Sequence, residues 1–464
     1  MECIAGRQYF LSRPVSLGEI MFKKIFIIVF AVIVFAGCMP SPITTTHKNP
    51  VQRNMITRSL TNIGNTYRIK QIIKTAKKNN KIQIAFIGSS AFTEDENSRS
   101  AAQDTVNQMS NFFGKKVAVS MINFSVYGTT SEFGNIMAQR EVLSKHPDII
   151  FLDYAMFDEH EQSDRENFEA LVRSCLEQKN NPQVIIFINA REDSVVKNDF
   201  MEQIAKYYNL PVINVSSAFL PEFTAGRIKP EEIYEKPTIH TSAGKEYIAD
   251  FCTNYIVKAQ KSKKDKEYIL PAPMNAHLSV QNPKFIDAED IRAENDGSYI
   301  RVKNKNNKLF KSRIEYLTNT ENIPFIFITE ANNVYIIAPV SKNRKDVFEI
   351  LINGKKTKEF STFAENENDE PKVFKVFSSN VTERVAVAIQ VKGDNEENGT
   401  VNPYAESSEP AKNDEDNANT EDTEKNEEVS EKTEAPENAD SPKEEKTQVR
   451  YKDFEFWGIA FTKN

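Results

Sequence analysis

Ile84–Glu94 reads IAFIGSSAFTE: four apolar residues, then Gly88, Ser89 and Ser90, with no helix-forming residue for several positions. With Lys81–Gln83 in front, the run KIQIAFIG has the continuous apolar character of a strand covered on both faces. A stop on Gly-Ser-Ser is either a plain turn or a way of holding a serine at the mouth of a sheet. The segments that follow decide what kind of sheet it is. SRSAAQDTVNQMSNFFG reads as a helix ending on Gly114, KVAVSMINF as a strand and SEFGNIMAQREVLSKH as a helix ending before Pro147. DIIFLDYA is then a strand and RENFEALVRSCLEQK a helix with Phe168, Leu171, Val172 and Cys175 on one face. PQVIIFIN, VKNDFMEQIAKYY, LPVINV and SAGKEYIADFCTNYIVKA continue as strand, helix, strand and helix. Repeated βα units predict a parallel sheet flanked by helices, here over residues 57–262, with its sites at the carboxyl ends of the strands.

Beyond Ser279 the pattern changes. SYIRVKN, PFIFITE, NVYIIAP, DVFEILING, FKVFSS and RVAVAIQVKG are short strands separated by turn residues, which predicts a β-sandwich over residues 279–393. Residues 394–449 are poor in apolar residues and rich in Glu, Asn, Thr and Pro, so they read as a disordered loop. YKDFEFWGIAFTKN, with the single Trp457, follows as a strand and is expected to return to the sandwich from residue 450 onward. Between Asp394 and Gln448 there are 19 Asp and Glu against 5 Lys, so this stretch carries more than the whole formal charge of -7 and the rest is mildly basic. No basic run is dense enough to point to nucleic acid.

At the N-terminus, Lys23 and Lys24 precede the apolar run Ile25–Ala36, then Gly37 and Cys38. A charged start, a short apolar stretch and small residues follow the plan of a signal peptide, and the run is short for a membrane span. FAGC, Phe35–Cys38, resembles a bacterial lipobox, whose cysteine becomes the lipidated first residue; an ordinary secretory cleavage is the alternative. Residues 1–38 are then an export signal, with Met21 the expected start, and the Pro-, Thr- and Asn-rich residues 39–56 a tether. This makes the chain an exported, membrane-anchored lipoprotein of the cell envelope. Cys175 and Cys252 read as buried thiols, a disulfide being open to an exported chain. No His/Cys cluster suggests a metal, and no cofactor is implied.

Four polar or glycine-bearing stretches fall on one rim: Ser89–Ser90 after the first strand, Asn123–Ser131 after the second, Leu152–His160 after the third, and Glu235–Gly244 before the last helix. Together they resemble the SGNH/GDSL hydrolase superfamily, and a carbohydrate-esterase-like bacterial subgroup in particular. The matching blocks are GNTYR (Gly64–Arg68), GSSAFT (Gly88–Thr93), PDIIFLDYAMFD (Pro147–Asp158) and KPTIHT (Lys236–Thr241), and the resemblance covers about Asn65–Val257. It implies a flavodoxin-like α/β fold with Ser90 as nucleophile, His240 as general base, and the N–H groups of Ser90 and Gly128 as oxyanion donors. A serine hydroxyl needs a neighbouring base, and the tetrahedral oxyanion needs preorganised donors.

Two family positions are altered. Phe157 stands where the oxyanion asparagine is expected, and Pro237 where the triad aspartate is expected, three residues before His240. A lost oxyanion donor costs about 10²–10³ in rate and a lost triad aspartate about 10⁴. Glu235 is a candidate replacement carboxylate behind His240, whereas Asp158 is expected to orient a loop. The resemblance implies an esterase removing O-acetyl or similar acyl groups from a polysaccharide. The alternative is a degenerate relative that binds a glycan or a protein partner without turnover.

Overall fold

The structure, a computed structural model, describes residues 48–94, 100–159, 161–193, 199–275, 278–291, 299–305, 307–317, 324–392 and 451–463. The first part runs α1 (Pro50–Ser59), β1 (Leu60–Asn62), α2 (Tyr67–Asn79), β2 (Lys81–Gly88), α3 (Ala101–Phe113), β3 (Ala118–Ser125) and α4 (Ser131–Glu141). It continues with β4 (Ile149–Asp153), α5 (Gln162–Leu176), β5 (Gln183–Ile188), α6 (Asp199–Tyr207), β6 (Val212–Asn214) and α7 (Val215–Thr224). A short α8 (Pro230–Ile233), the ribbon β7 (Tyr234–Lys236) and β8 (Ile239–His240), and the long α9 (Ser242–Lys261) complete it.

The sheet order is β1-β6-β5-β4-β2-β3, with β1 antiparallel and the other pairs parallel. Alternate residues of each central strand feed opposite layers. Ile84, Phe86, Phe151, Ile185 and Phe187 join one core, and Ala85, Ile87, Ile150, Leu152 and Ile186 the other. Both faces are dry, which is why the strands read as unbroken apolar runs. The strand order reverses between β2 and β4, and this is where a doubly wound sheet opens a crevice at its carboxyl rim. The expected α/β architecture is present.

The second part comprises β9 (Lys284–Asp287), β10 (Tyr299–Lys303), β11 (Ser312–Leu317), β12 (Phe325–Val340), β13 (Val347–Ile352), β14 (Lys355–Ser361), β15 (Glu370–Val391), β16 (Tyr451–Phe456) and β17 (Gly458–Thr462). Two antiparallel sheets, β14-β13-β15-β12-β17-β9 and β10-β11-β16, share an apolar core. Phe454 and Phe456 of the smaller sheet meet Phe348 at 4.8 Å and Phe325 at 5.1 Å between ring centroids. Residues 451–462 serve both sheets, passing from one to the other at Trp457.

Residues 451–462, expected as one strand, are two strands separated at Trp457, and three further expectations need correction. The tether was placed to residue 56, but α1 already begins at Pro50. Asn49 caps it, its side chain accepting from the Gln52 N–H, with Pro50 in the first turn and Met55 and Ile56 buried. LPVINV is a shorter strand than expected: β6 spans Val212–Asn214 and ends at Asn214, whose side chain caps α7 by accepting from the Ser217 N–H. The pairs PFIFITE/NVYIIAP and FKVFSS/RVAVAIQVKG are each one long strand, β12 and β15, with register irregularities instead of turns. The polar residues between them bond inward. Thr382 Oγ1 donates to Asn332 at 2.7 Å, Ser378 Oγ donates to Asn333 at 2.8 Å, and Asn333 Nδ2 donates to Thr462 at 2.9 Å.

Helix α4 joins the two parts. Most of its residues are buried, because the parallel sheet covers one side and the β-region the other. Asn135 Nδ2 donates to the Val280 carbonyl at 2.8 Å. Arg140 pairs with Asp287 at 3.0 Å, donates to the Leu309 carbonyl at 2.7 Å, and stacks over Phe285. Trp457 lies 4.9 Å from Phe310 within the same core as Phe133 of α4. Replacing a buried aromatic by alanine costs about 3–5 kcal/mol. Trp457→Ala should therefore lose stability on that scale in urea unfolding followed by circular dichroism; a cost below about 1 kcal/mol would mean that this aromatic does not hold the two parts together.

Candidate active site

The rim between β2 and β4 is built on one buried carboxylate. Gly88 is the register partner of Asp153, and a Cβ on Gly88 would come within 2.8 Å of the Asp153 side chain. The glycine therefore allows the turn at Ser89–Ala91 to close onto the end of β4. Ser89 N–H donates to the Asp153 carbonyl at 2.8 Å. Ser90 N–H and Ala91 N–H donate to Asp153 Oδ2 at 3.2 and 2.6 Å. Ser90 Oγ lies 3.2 and 3.0 Å from Oδ1 and Oδ2, and it accepts from Asn189 Nδ2 at 2.9 Å. Burial raises the Asp153 pKa from 3.8 to about 6, against the lowering effect of the donors from Ala91 and Ser90.

His240 is buried at the end of the β7–β8 ribbon, where its ring lies 4.8 Å from that of Tyr234. Its Nε2 has no hydrogen-bond partner among the described residues. Burial lowers its pKa to about 3, with Lys245 nearby adding to the effect. Thr241, the next residue, caps α9 by accepting from the Gly244 N–H. Ser90, Glu235, His240 and Lys245 line one cavity of about 190 Å³, closed on one side by Tyr127. The Tyr127 hydroxyl meets Thr238 at 2.9 Å, and its ring packs edge-on against Phe157 at 5.3 Å.

The structure thus brings Ser90, His240 and Glu235 to one cavity, but not into the hydrogen-bonded chain that the resemblance implies. Among the described residues no hydrogen bond joins His240 to Ser90 or to Glu235, and Glu235 and Pro237 are exposed. The two expected oxyanion donors are already engaged. Ser90 N–H points to Asp153, and Gly128 N–H donates to the Ser89 carbonyl at 3.3 Å. Gly128 has φ +78°, and a Cβ there would meet the Glu370 carboxylate of β15 at 2.6 Å, so the β-region presses directly on this loop. Asp158 accepts from the Ser131 N–H at 2.8 Å and so fixes the start of α4, as expected of a loop-orienting residue. Cys175 and Cys252 are buried free thiols, and no group able to hold a metal is found among the described residues. Cys38, His47, His160, His277 and residues 394–449 lie outside the described residues.

Sequence reasoning assigned no role to Asp153 or Asn189. Each is the first polar residue after a buried strand run, at the carboxyl ends of β4, which pairs with β2, and of β5, the next strand over, and that position was the available signal.

No family model matches the chain, and neither does any curated protein. Among solved structures it is similar to a two-domain esterase (CEX) active on acetylated mannans, at 22% identity and TM-score 0.65, covering 74% of this chain and 95% of that one. The same esterase co-crystallised with mannopentaose gives 22% identity and TM-score 0.64, covering 74% and 94%. The likeness extends through both parts of the chain, so the architecture of a parallel α/β sheet joined to an antiparallel region is a shared one.

The His240 pKa fixes the sign of a pH effect on stability. In the folded state the ring stays neutral down to about 3, whereas the unfolded chain takes up the proton near 6.5. Stability from neutral burial is complete above about 6.5 and is lost as pH falls toward 3. Asp153 acts oppositely between about 6 and 3.8, because the folded state binds its proton first. The comparison that isolates His240 is wild type against His240→Gln. From pH 7 to pH 5 the wild type should lose about 2 kcal/mol relative to the variant. Denaturant midpoints at the two pH values measure this; an unchanged difference would mean that His240 is solvated.

Proposed function

We propose that this chain is a serine carboxylic-ester hydrolase of SGNH/GDSL type that removes O-acetyl or similar acyl groups from a polysaccharide, with Ser90 as nucleophile. The observation that carries this reading is the placement of Ser90, whose hydroxyl bonds to a buried carboxylate, on one cavity with the buried His240 at the reversal point of a parallel sheet. The serine is held by a turn, not by a helix or strand, and it already donates its proton to a carboxylate. The shared architecture with an esterase active on acetylated mannans supports the substrate class. We further propose that Cys38 is lipidated, so that the enzyme acts from a membrane surface in the cell envelope.

A second reading has its own observation. Both expected oxyanion donors are occupied within the protein, which suits a site that binds acylated glycan without turnover. Hydrolysis of p-nitrophenyl acetate and of an acetylated mannan by the full chain, beside Ser90→Ala, separates the two. The esterase reading expects turnover that falls at least about 10³-fold in the variant. Binding of the mannan without acetate release by either protein would establish the second reading. Equal release by both would remove Ser90 from the chemistry.

A further inference from the structure

We propose that Asp153, not His240, takes the proton of the Ser90 hydroxyl as that oxygen attacks an ester. This rests on the esterase reading and assigns it a different base.

A hydroxyl has one proton and two lone pairs, and an ionised carboxylate only accepts. Asn189 Nδ2 donates to Ser90 Oγ at 2.9 Å and so occupies one lone pair. The contacts of 3.0 and 3.2 Å to the Asp153 oxygens must then carry the hydroxyl proton. One lone pair on Oγ remains for attack. Nothing comparable links Ser90 to His240, whose Nε2 is unpartnered. Asp153 is fully buried in the resting site, where its oxygens face the donors of the turn.

The step balances as follows. Ser90 Oγ bonds to the ester carbonyl carbon, the carbonyl π pair moves onto its oxygen, and the Oγ proton passes to Asp153. On collapse the carbon–alkoxy bond breaks, and the sugar oxygen recovers that proton from Asp153. Water then attacks the acyl-serine carbon and gives a proton to Asp153, which returns it to Ser90 as the carboxylic acid leaves. The same transfer affects the oxyanion donors. A carboxylate binds N–H groups more strongly than a neutral acid does, so protonated Asp153 loosens its hold on the Ser90 and Ala91 N–H groups while negative charge builds on the substrate.

The groups facing Asp153 are few. Tyr154 lies on its own strand end and Cys252 on α9, both held neutral by burial. Asn189 and the turn Ser89–Ala91 supply only dipoles, and no cation pairs with Asp153 among the described residues. The acid limb of activity therefore identifies the base, at about 6 for Asp153 and about 3 for His240.

The test measures kcat/KM of the full chain on p-nitrophenyl acetate from pH 4 to pH 9; its leaving group needs no proton, so the profile reports the base alone. Wild type should lose activity below about pH 6. Asp153→Asn should lower kcat about 10²–10⁴-fold with KM little changed and should abolish that limb. Asp153→Glu should restore part of the rate, and His240→Gln should leave the limb in place whatever its rate. A limb near 3, or one retained in Asp153→Asn, overturns the proposal. Labelling of wild-type Ser90 by a fluorophosphonate covers the case where Asp153→Asn does not fold. Labelling that rises with pH about a midpoint near 6 in the wild type and in His240→Gln alike supports Asp153, and a pH-independent rate, or a midpoint lost in His240→Gln, counts against it. Labelling with this midpoint but no ester turnover would retain Asp153 while defeating the esterase reading. Neither labelling nor turnover would defeat both.

Discussion

The buried carboxylate of Asp153 is the constraint on which the rim of the sheet depends. A carboxylate taken from water costs several kcal/mol unless donors surround it. Here the donors are the N–H groups of Ser90 and Ala91 and the Ser90 hydroxyl, with nothing of opposite charge among the described residues. The turn after β2 is shaped by meeting that demand. Gly88 lacks a side chain because the strand end must approach Asp153, and the two serines follow because small donors fit there. A stretch that looks like a loose turn is therefore tightly specified. The same demand leaves the pKa of Asp153 within reach of a working pH, as expected where burial and function meet.

The second constraint is mechanical. Helix α4 starts directly after the Gly128 loop and is pressed between two bodies of protein. Asp158 fixes its first turn from the β4 side, while Val280, Asp287 and Leu309 hold its far side. Glu370 lies against Gly128 itself, and desolvation raises its pKa. The antiparallel region thus forms part of the wall of the rim, and the position of the Gly128 loop is set by packing from both sides.

The parallel sheet was legible because its strands are dry on both faces, and dry strands are unbroken runs of Ile, Val and Phe. Ser90 and His240 were legible as polar residues at strand and helix ends. What escaped has a common cause. Asn332, Asn333 and Ser378 look like turn residues, since polarity ordinarily marks the surface, yet Asn332 accepts from Thr382, Asn333 accepts from Ser378, and Asn333 donates to Thr462 inside the sheets. Asn49-Pro50 looks like a tether end and is a helix start. Asp153 was hidden because the resemblance points to the far end of its block, to Phe157 and Asp158, four and five positions further on. Whether a backbone N–H is free depends on which acceptor reaches it, as at Ser90 and Gly128, and sequence carries no trace of that.

The passage of residues 451–462 through both antiparallel sheets has a consequence for how the protein is made. β17 lies between β12 and β9, and β9 has no other neighbour in its sheet. Closing the long connection from Val391 back to Tyr451 is inexpensive in entropy, since each doubling of such a loop adds only about 0.6 kcal/mol. The cost lies in time. During synthesis the parallel sheet can assemble early, but β9 stays unpaired and one side of β12 stays open until the final strand emerges. The outer face of α4, which follows the Gly128 loop, is completed last. A ribosome that stops short of Trp457 releases a chain with a formed sheet and an exposed apolar helix, the kind of surface that chaperones and proteases recognise.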